Sequence, residues 1–90
     1  MLLHNSIRVY GKVQGVFYRQ AACEQALRMG INGFVQNLPD GSVYIEAEGA
    51  KPRLALFIAW CEEGPPASHV TNVEINEGVL KSFTSFRIVR

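Results

Sequence analysis

An α+β fold, one antiparallel sheet carrying two helices on a single face, is what three features of this sequence predict. Its 90 residues suffice for one domain with one core and leave no room for a second. Two proline- and glycine-free segments repeat apolar residues at helical spacing, and short alternating segments precede and follow them. Proline or glycine punctuates the joins.

In the first strand, Ser6 to Gly11, Ile7 and Val9 point to one side and Arg8 and Tyr10 to the other. Tyr18, Ala22, Ala26 and Met29 then share one face of a helix that Gly30 stops. Phe34 to Leu38 and Ser42 to Glu48 form a hairpin around Leu38-Pro39-Asp40-Gly41. Its second arm is expected to turn Val43, Ile45 and Ala47 inward and Tyr44, Glu46 and Glu48 to water. Pro52 stands at a helix start, and Leu54, Phe57, Ile58 and Cys61 make a buried stripe that ends at Gly64-Pro65-Pro66. Val70 to Asn76 is a fourth strand, followed by a loop through Gly78 and a short terminal strand at Phe86 to Val89. Strand, helix, strand, strand, helix, strand is the order of the ferredoxin-like split βαβ sandwich, here four antiparallel strands plus a short C-terminal one. Residues 1–90 form a single domain without repeats or linkers.

Composition excludes several function classes. Hydrophobic residues make up 48%, too many for a disordered chain. Nine basic and eight acidic residues leave a formal charge of +1, so an anion must be recognised by a local site and not by a basic surface. No apolar run approaches the roughly 18 residues of a spanning helix, and MLLHNSIRVYG turns polar too soon for a secretory leader. These features point to a cytoplasmic protein with neither membrane nor nucleic acid as partner. Cys23 and Cys61 form no C-x-x-C pair and give no zinc site. Antiparallel helices would bring the start of the first near the end of the second, where these cysteines are expected, so a bridge is conceivable. A charge-balanced, leader-free chain points instead to reduced thiols. His4 and His69 are isolated and expected at the surface, Glu46 and Glu48 read as a solvated stripe, and no metal cluster is present.

Chemistry concentrates in GKVQGVFYR, residues Gly11 to Arg19. A glycine-containing turn runs straight into a helix, whose first N–H groups are unpaired and carry partial positive charge. Loop amides wrapped around such an end can cradle a phosphate, Gly15 lets a ligand oxygen approach, and Arg19 adds a fork suited to two phosphate oxygens. Taken alone, such a turn with an exposed arginine is commonplace, and Asn37 in Asn37-Leu38-Pro39-Asp40-Gly41 would pass for a turn-capping residue. The glycine pattern implies neither a dinucleotide nor a nucleoside triphosphate.

The segment nevertheless resembles the first signature of the acylphosphatase family, and GFVQNLPDGSVYIEAEG, Gly33 to Gly49, resembles the second. Trp60 in the second helix, Gly64-Pro65 before a strand and the short last strand also agree, so the resemblance covers nearly the whole chain. It implies a cofactor-free, metal-independent enzyme, expected as a monomer, that hydrolyses the carboxyl-phosphate bond of a small acyl phosphate. The backbone amides of Gln14, Gly15, Val16, Phe17 and Tyr18 would form the phosphate cradle, Arg19 would bind phosphate, and Asn37 would orient the attacking water. Tyr18 replaces the family's usual phenylalanine or methionine and needs a partner for its hydroxyl. Phe17 adds bulk that narrows the entrance, and Leu38 stands where some relatives have threonine. Since strands one and two run parallel in this topology, Asn37 and the loop are expected at the same sheet edge. A carboxylate leaving group needs no acid catalyst, so holding the phosphoryl group and aligning a water suffices. Two rivals remain at this level: a non-catalytic binding module of the same fold for RNA or another anion, using Tyr10 and Tyr44 for stacking, and an acylphosphatase-like domain of the kind found in hydrogenase-maturation proteins.

Overall fold

The computed structural model describes residues 1–90. In chain order the elements are β1 (Leu2–Lys12), α1 (Tyr18–Met29), β2 (Asn32–Asn37), β3 (Val43–Ala50), α2 (Lys51–Glu63), β4 (His69–Gly78) and β5 (Phe86–Val89). The strands lie in the order β4-β1-β3-β2-β5. The first four are antiparallel, as expected, whereas β5 joins β2 in parallel, so the complete sheet is mixed. Helix α2 packs over β1, β3 and β4, and α1 over β2 and β5, which puts both helices on one face.

The core forms where the pleat turns β-branched residues toward those helices. Ile7 pairs with Ile45 on one side and Ile75 on the other, and Val9 with Val43 and Val73, giving apolar rows across three strands. Ile7, Val9, Val35, Val43, Ile45 and Ala47 are fully buried beneath Ala22, Ala26, Leu54 and Phe57. Alanine at two of α1's inward positions lets that helix lie close to the sheet. Phe86 closes the core at the β5 edge, its ring edge-on to Phe57 at 5.8 Å.

The opposite face departs from the expected solvated stripe. Glu46 and Glu48 are only 7% and 5% exposed, and His4 is equally buried. The cause is topological. β4 and β5 occupy opposite sheet edges, so residues 79–85 must cross some four strand spacings, about 19 Å, on the face the helices leave free. This strap closes over the carboxylates. Glu48 accepts the backbone N–H groups of Lys81 (2.5 Å) and Phe83 (3.0 Å), and the Lys81 ammonium pairs with Glu46 at 2.7 Å. His4 sits between them, Nδ1 2.8 Å from Glu48 and Nε2 3.2 Å from Glu46. Burial alone would raise both carboxyl pKa values, but the bonds from Lys81 and its neighbours outweigh it and hold both below their ordinary values.

The cysteines are free. The start of α1 does approach the end of α2, but Cys23 lies in the second turn of α1 with its thiol directed at the Phe86 carbonyl, not at Cys61. Cys61 is fully buried, and desolvation pushes its thiol up to about 12, so it is an inert core thiol.

Candidate active site

β1 leaves β3 after the Val9–Val43 pair and continues along β4 alone, through a bulge at Tyr10/Gly11. The chain then turns toward α1 in five residues whose side chains alternate in role. Val13 and Val16 are 1% and 6% exposed and pin the turn to the core, while Gly15 and Phe17 face outward. Gly15 and Phe17 both adopt left-handed backbone, at φ 74° and 64°. Such alternation gathers successive N–H groups into a concavity that suits an anion. The N–H groups of residues 14–17 donate to no protein acceptor, and those of Tyr18 and Arg19 begin a helix that has no capping side chain. Left-handed backbone is disfavoured for an aromatic residue by roughly 1–2 kcal/mol, a cost that shapes the turn.

Tyr18 anchors the helix end. Its ring is 1% exposed and lies 5.4 Å from Trp60, and its hydroxyl donates to the Cys61 carbonyl at 2.7 Å. The partner that the hydroxyl requires is therefore the last turn of α2. Desolvation, first among the causes, raises the pKa of this phenol far above its ordinary value. Arg19 is one residue on and half-buried, and its guanidinium forms no ion pair and no hydrogen bond within the protein.

Asn37 ends β2, paired with Val43. Its Oδ1 is the one buried side-chain polar atom in the molecule with no hydrogen-bond partner, an arrangement that native proteins seldom leave without a use. The hairpin after it is tightly made. Asp40 Oδ1 accepts from the Ser42 amide (2.9 Å) and hydroxyl (2.5 Å), and Asp40 Oδ2 from Arg8 Nη2 at 2.6 Å. The Ser42 bonds, then Arg8, pull the Asp40 carboxyl down to about 2. The Gln14 side chain reaches this hairpin: its Nε2 donates to the carbonyls of Leu38 (2.8 Å) and Ser42 (2.9 Å).

Gly15, Phe17, Tyr18, Arg19 and Asn37 line a cleft of about 630 Å³ at the edge where β1 and β2 end. The side chains of Gln14 and Val16 do not, since one is turned to the hairpin and the other to the core. Val13, Gln20, Ile88 and Arg90 complete the lining, which includes no Asp or Glu side chain. Ile88 and Arg90 escaped the sequence reading because the pairing of β5 was not legible. Only its parallel register, with Val35 opposite Ile88, brings Arg90 level with Asn37. The exposed Phe17 ring stands in the cleft wall at 77% exposure. His69 is exposed on β4, and no group of three or more His, Cys, Asp or Glu side chains is placed to hold a metal ion.

Residues 5–88 match the family model described as Acylphosphatase. An acylphosphatase of Methylococcus capsulatus is 42% identical over 85 residues, covering 93% of this chain and 92% of the relative. One of Shewanella amazonensis is 52% identical over 71 residues, 79% of this chain and 78% of its own. The crystal structure of acylphosphatase from Bacillus subtilis superposes with a TM-score of 0.95 at 36% identity and covers both chains completely.

Proposed function

The chain belongs to the acylphosphatase family and is an acyl-phosphate hydrolase, and from that premise we propose that the cleft beside Asn37 is where the reaction occurs, with Arg19 and the loop amides holding the phosphoryl group and Asn37 placing the water. The observation that carries this reading is the convergence of three unsatisfied groups on one cleft. These are an unpaired guanidinium, a row of amides without acceptors and a buried amide oxygen without a donor.

Each group answers one need of the chemistry. The amides of Gln14 to Tyr18 and the Arg19 fork offset the phosphoryl charge, and being fixed by Val13, Val16 and Tyr18 they need no reorganisation as charge shifts. Asn37 Oδ1 accepts a hydrogen bond from the attacking water, and its Nδ2 is free to donate to a phosphoryl oxygen. The water oxygen bonds to phosphorus, the bond between phosphorus and the carboxyl oxygen breaks, and the bonding pair leaves on the carboxylate. One proton of the water stays on the new phosphate hydroxyl and the other passes to phosphate or solvent. No general acid or base, metal or cofactor is required. The balanced charge and the acidic, strap-covered sheet face favour this reading over an RNA platform. No helix is long and apolar enough to cross a membrane, and we take the protein to act as a cytoplasmic monomer.

Arg19→Lys tests the assignment. A mobile ammonium replaces a planar fork, so kcat/KM for an aromatic acyl phosphate is expected to fall by a factor equivalent to roughly 2–4 kcal/mol, with weaker competitive inhibition by inorganic phosphate. Near-normal turnover by the lysine variant would remove Arg19 from the site.

A further inference from the structure

We infer that Gln14 is a positioning residue for hydrolysis, whose side-chain amide holds the phosphate cradle at a fixed distance from Asn37. The inference rests on the reading of Asn37 and the cradle given above and assigns a task that neither of them performs.

Cradle and Asn37 belong to different elements. After the Val9–Val43 pair, β1 and β3 separate: Tyr10 to Lys12 continue along β4 alone, and the cradle loop follows them. No backbone hydrogen bond joins residues 13–17 to residues 37–42. Across that gap the only hydrogen bonds are the two from Gln14 Nε2, to Leu38 O at 2.8 Å and Ser42 O at 2.9 Å. A side-chain amide nitrogen has two N–H groups, and both are used. Leu38 directly follows Asn37, and Ser42 precedes Val43, its pairing partner, so the two acceptors flank the Asn37–Val43 rung.

The hairpin does not need Gln14 to close. Leu38 N–H already donates to Ser42 O at 2.9 Å, Gly41 N–H to Leu38 O at 3.1 Å, and Asp40 caps Ser42. Gln14 takes the second lone pair of carbonyls that the turn has already satisfied. Its bonds therefore add little to the local turn and much to the relation between turn and cradle. In-line displacement depends on that relation, since the water at Asn37 must meet the phosphorus at the cradle along one axis. The Gln14 amide N–H can still face the phosphate while its side chain faces the hairpin, so one residue contributes to both halves of the site.

The test measures kcat, the inhibition constant of inorganic phosphate and the unfolding midpoint for wild type, Gln14→Leu, Gln14→Glu, Asn37→Ala and the Gln14→Leu/Asn37→Ala double variant. Gln14→Leu is expected to lower kcat by on the order of 10- to 100-fold with phosphate inhibition nearly unchanged. The double variant should be no slower than Asn37→Ala, because a link to a missing group has nothing left to position. Gln14→Glu sets a carboxylate against two carbonyls. Its rate relative to wild type should rise as pH falls and the protonated carboxyl regains one donor, a readout that survives if the leucine variant folds poorly. A Gln14→Leu variant with a lowered midpoint and intact kcat would overturn the inference, as would losses that multiply in the double variant or a pH-independent Gln14→Glu ratio. An active Asn37→Ala would overturn the reading beneath it, and this inference with it. A slow Asn37→Ala beside a fast Gln14→Leu would overturn the inference alone.

Discussion

Tyr18 shows how much one hydroxyl can decide. A phenylalanine there would fill the same space, but the tyrosine also ties the first turn of α1 to the last turn of α2 through the Cys61 carbonyl. Tyr18→Phe leaves that buried carbonyl without its partner and is expected to cost roughly 1–2 kcal/mol, a drop of several degrees in Tm for a domain of this size. Thermal unfolding by circular dichroism checks it, and an unchanged Tm would mean that the bond contributes nothing net. The need for a partner was legible from the sequence, because a buried phenol is seldom left unbonded. Which carbonyl supplied it was not. Arg19 and Asn37 were legible only through their flanking motifs, since an arginine in a helix and an asparagine in a turn are common by themselves. The motif identifies Gln14 by its backbone amide alone, because the use of a side chain across two loops depends on register.

At the level of elements, periodicity located both helices and all five strands, yet it shortened β1 and misjudged one face. Alternation picks out the strand only from Ser6, whereas β1 starts at Leu2 and buries His4 and Asn5. Alternation reports which residues share a face but not what covers it, and the strap over Glu46 and Glu48 came from strand order, to which local sequence is blind. That strap makes an acid-sensitive element. Because the folded-state pKa values of Glu46, Glu48 and Asp40 lie below their unfolded ones, their contribution is complete above about pH 4.5 and is lost as pH falls through the folded values. Urea midpoints are expected to be level near neutrality and to decline between about pH 4.5 and about pH 2. Glu48→Gln should lower the neutral midpoint and flatten that acid limb. A limb of unchanged slope in the variant would show that Glu48 does not hold the strap.

For the whole molecule, the parallel docking of β5 on β2 brings the ends of three strands and the start of one helix to a single edge. The cleft there holds cations, amides and apolar surface but no Asp or Glu side chain. An alkoxide leaving group would need a proton that nothing in the cleft supplies, whereas a carboxylate needs none. Phosphate monoesters are therefore expected to be turned over orders of magnitude more slowly than acyl phosphates, and comparable kcat/KM for an aryl acyl phosphate and a phenyl phosphate would contradict the mechanism. The two-helix sandwich and the meeting of Arg19, Asn37 and the Gly15 loop at this edge could be read from element order and the two motifs. The mixed sheet, the strap and the β5 wall of the cleft could not, because each depends on how edges of the sheet are joined.

Whether the buried amide oxygen at the end of β2 places the attacking water is decided by Asn37→Ala, with kcat, phosphate inhibition constant and unfolding midpoint measured on one preparation. The expected variant is folded, binds phosphate almost as wild type does and has lost nearly all turnover, because the cradle and Arg19 supply the binding and Asn37 acts on the water. A variant destabilised by about 1 kcal/mol, as the loss of a turn cap would bring, yet fully active per folded molecule, would contradict that role.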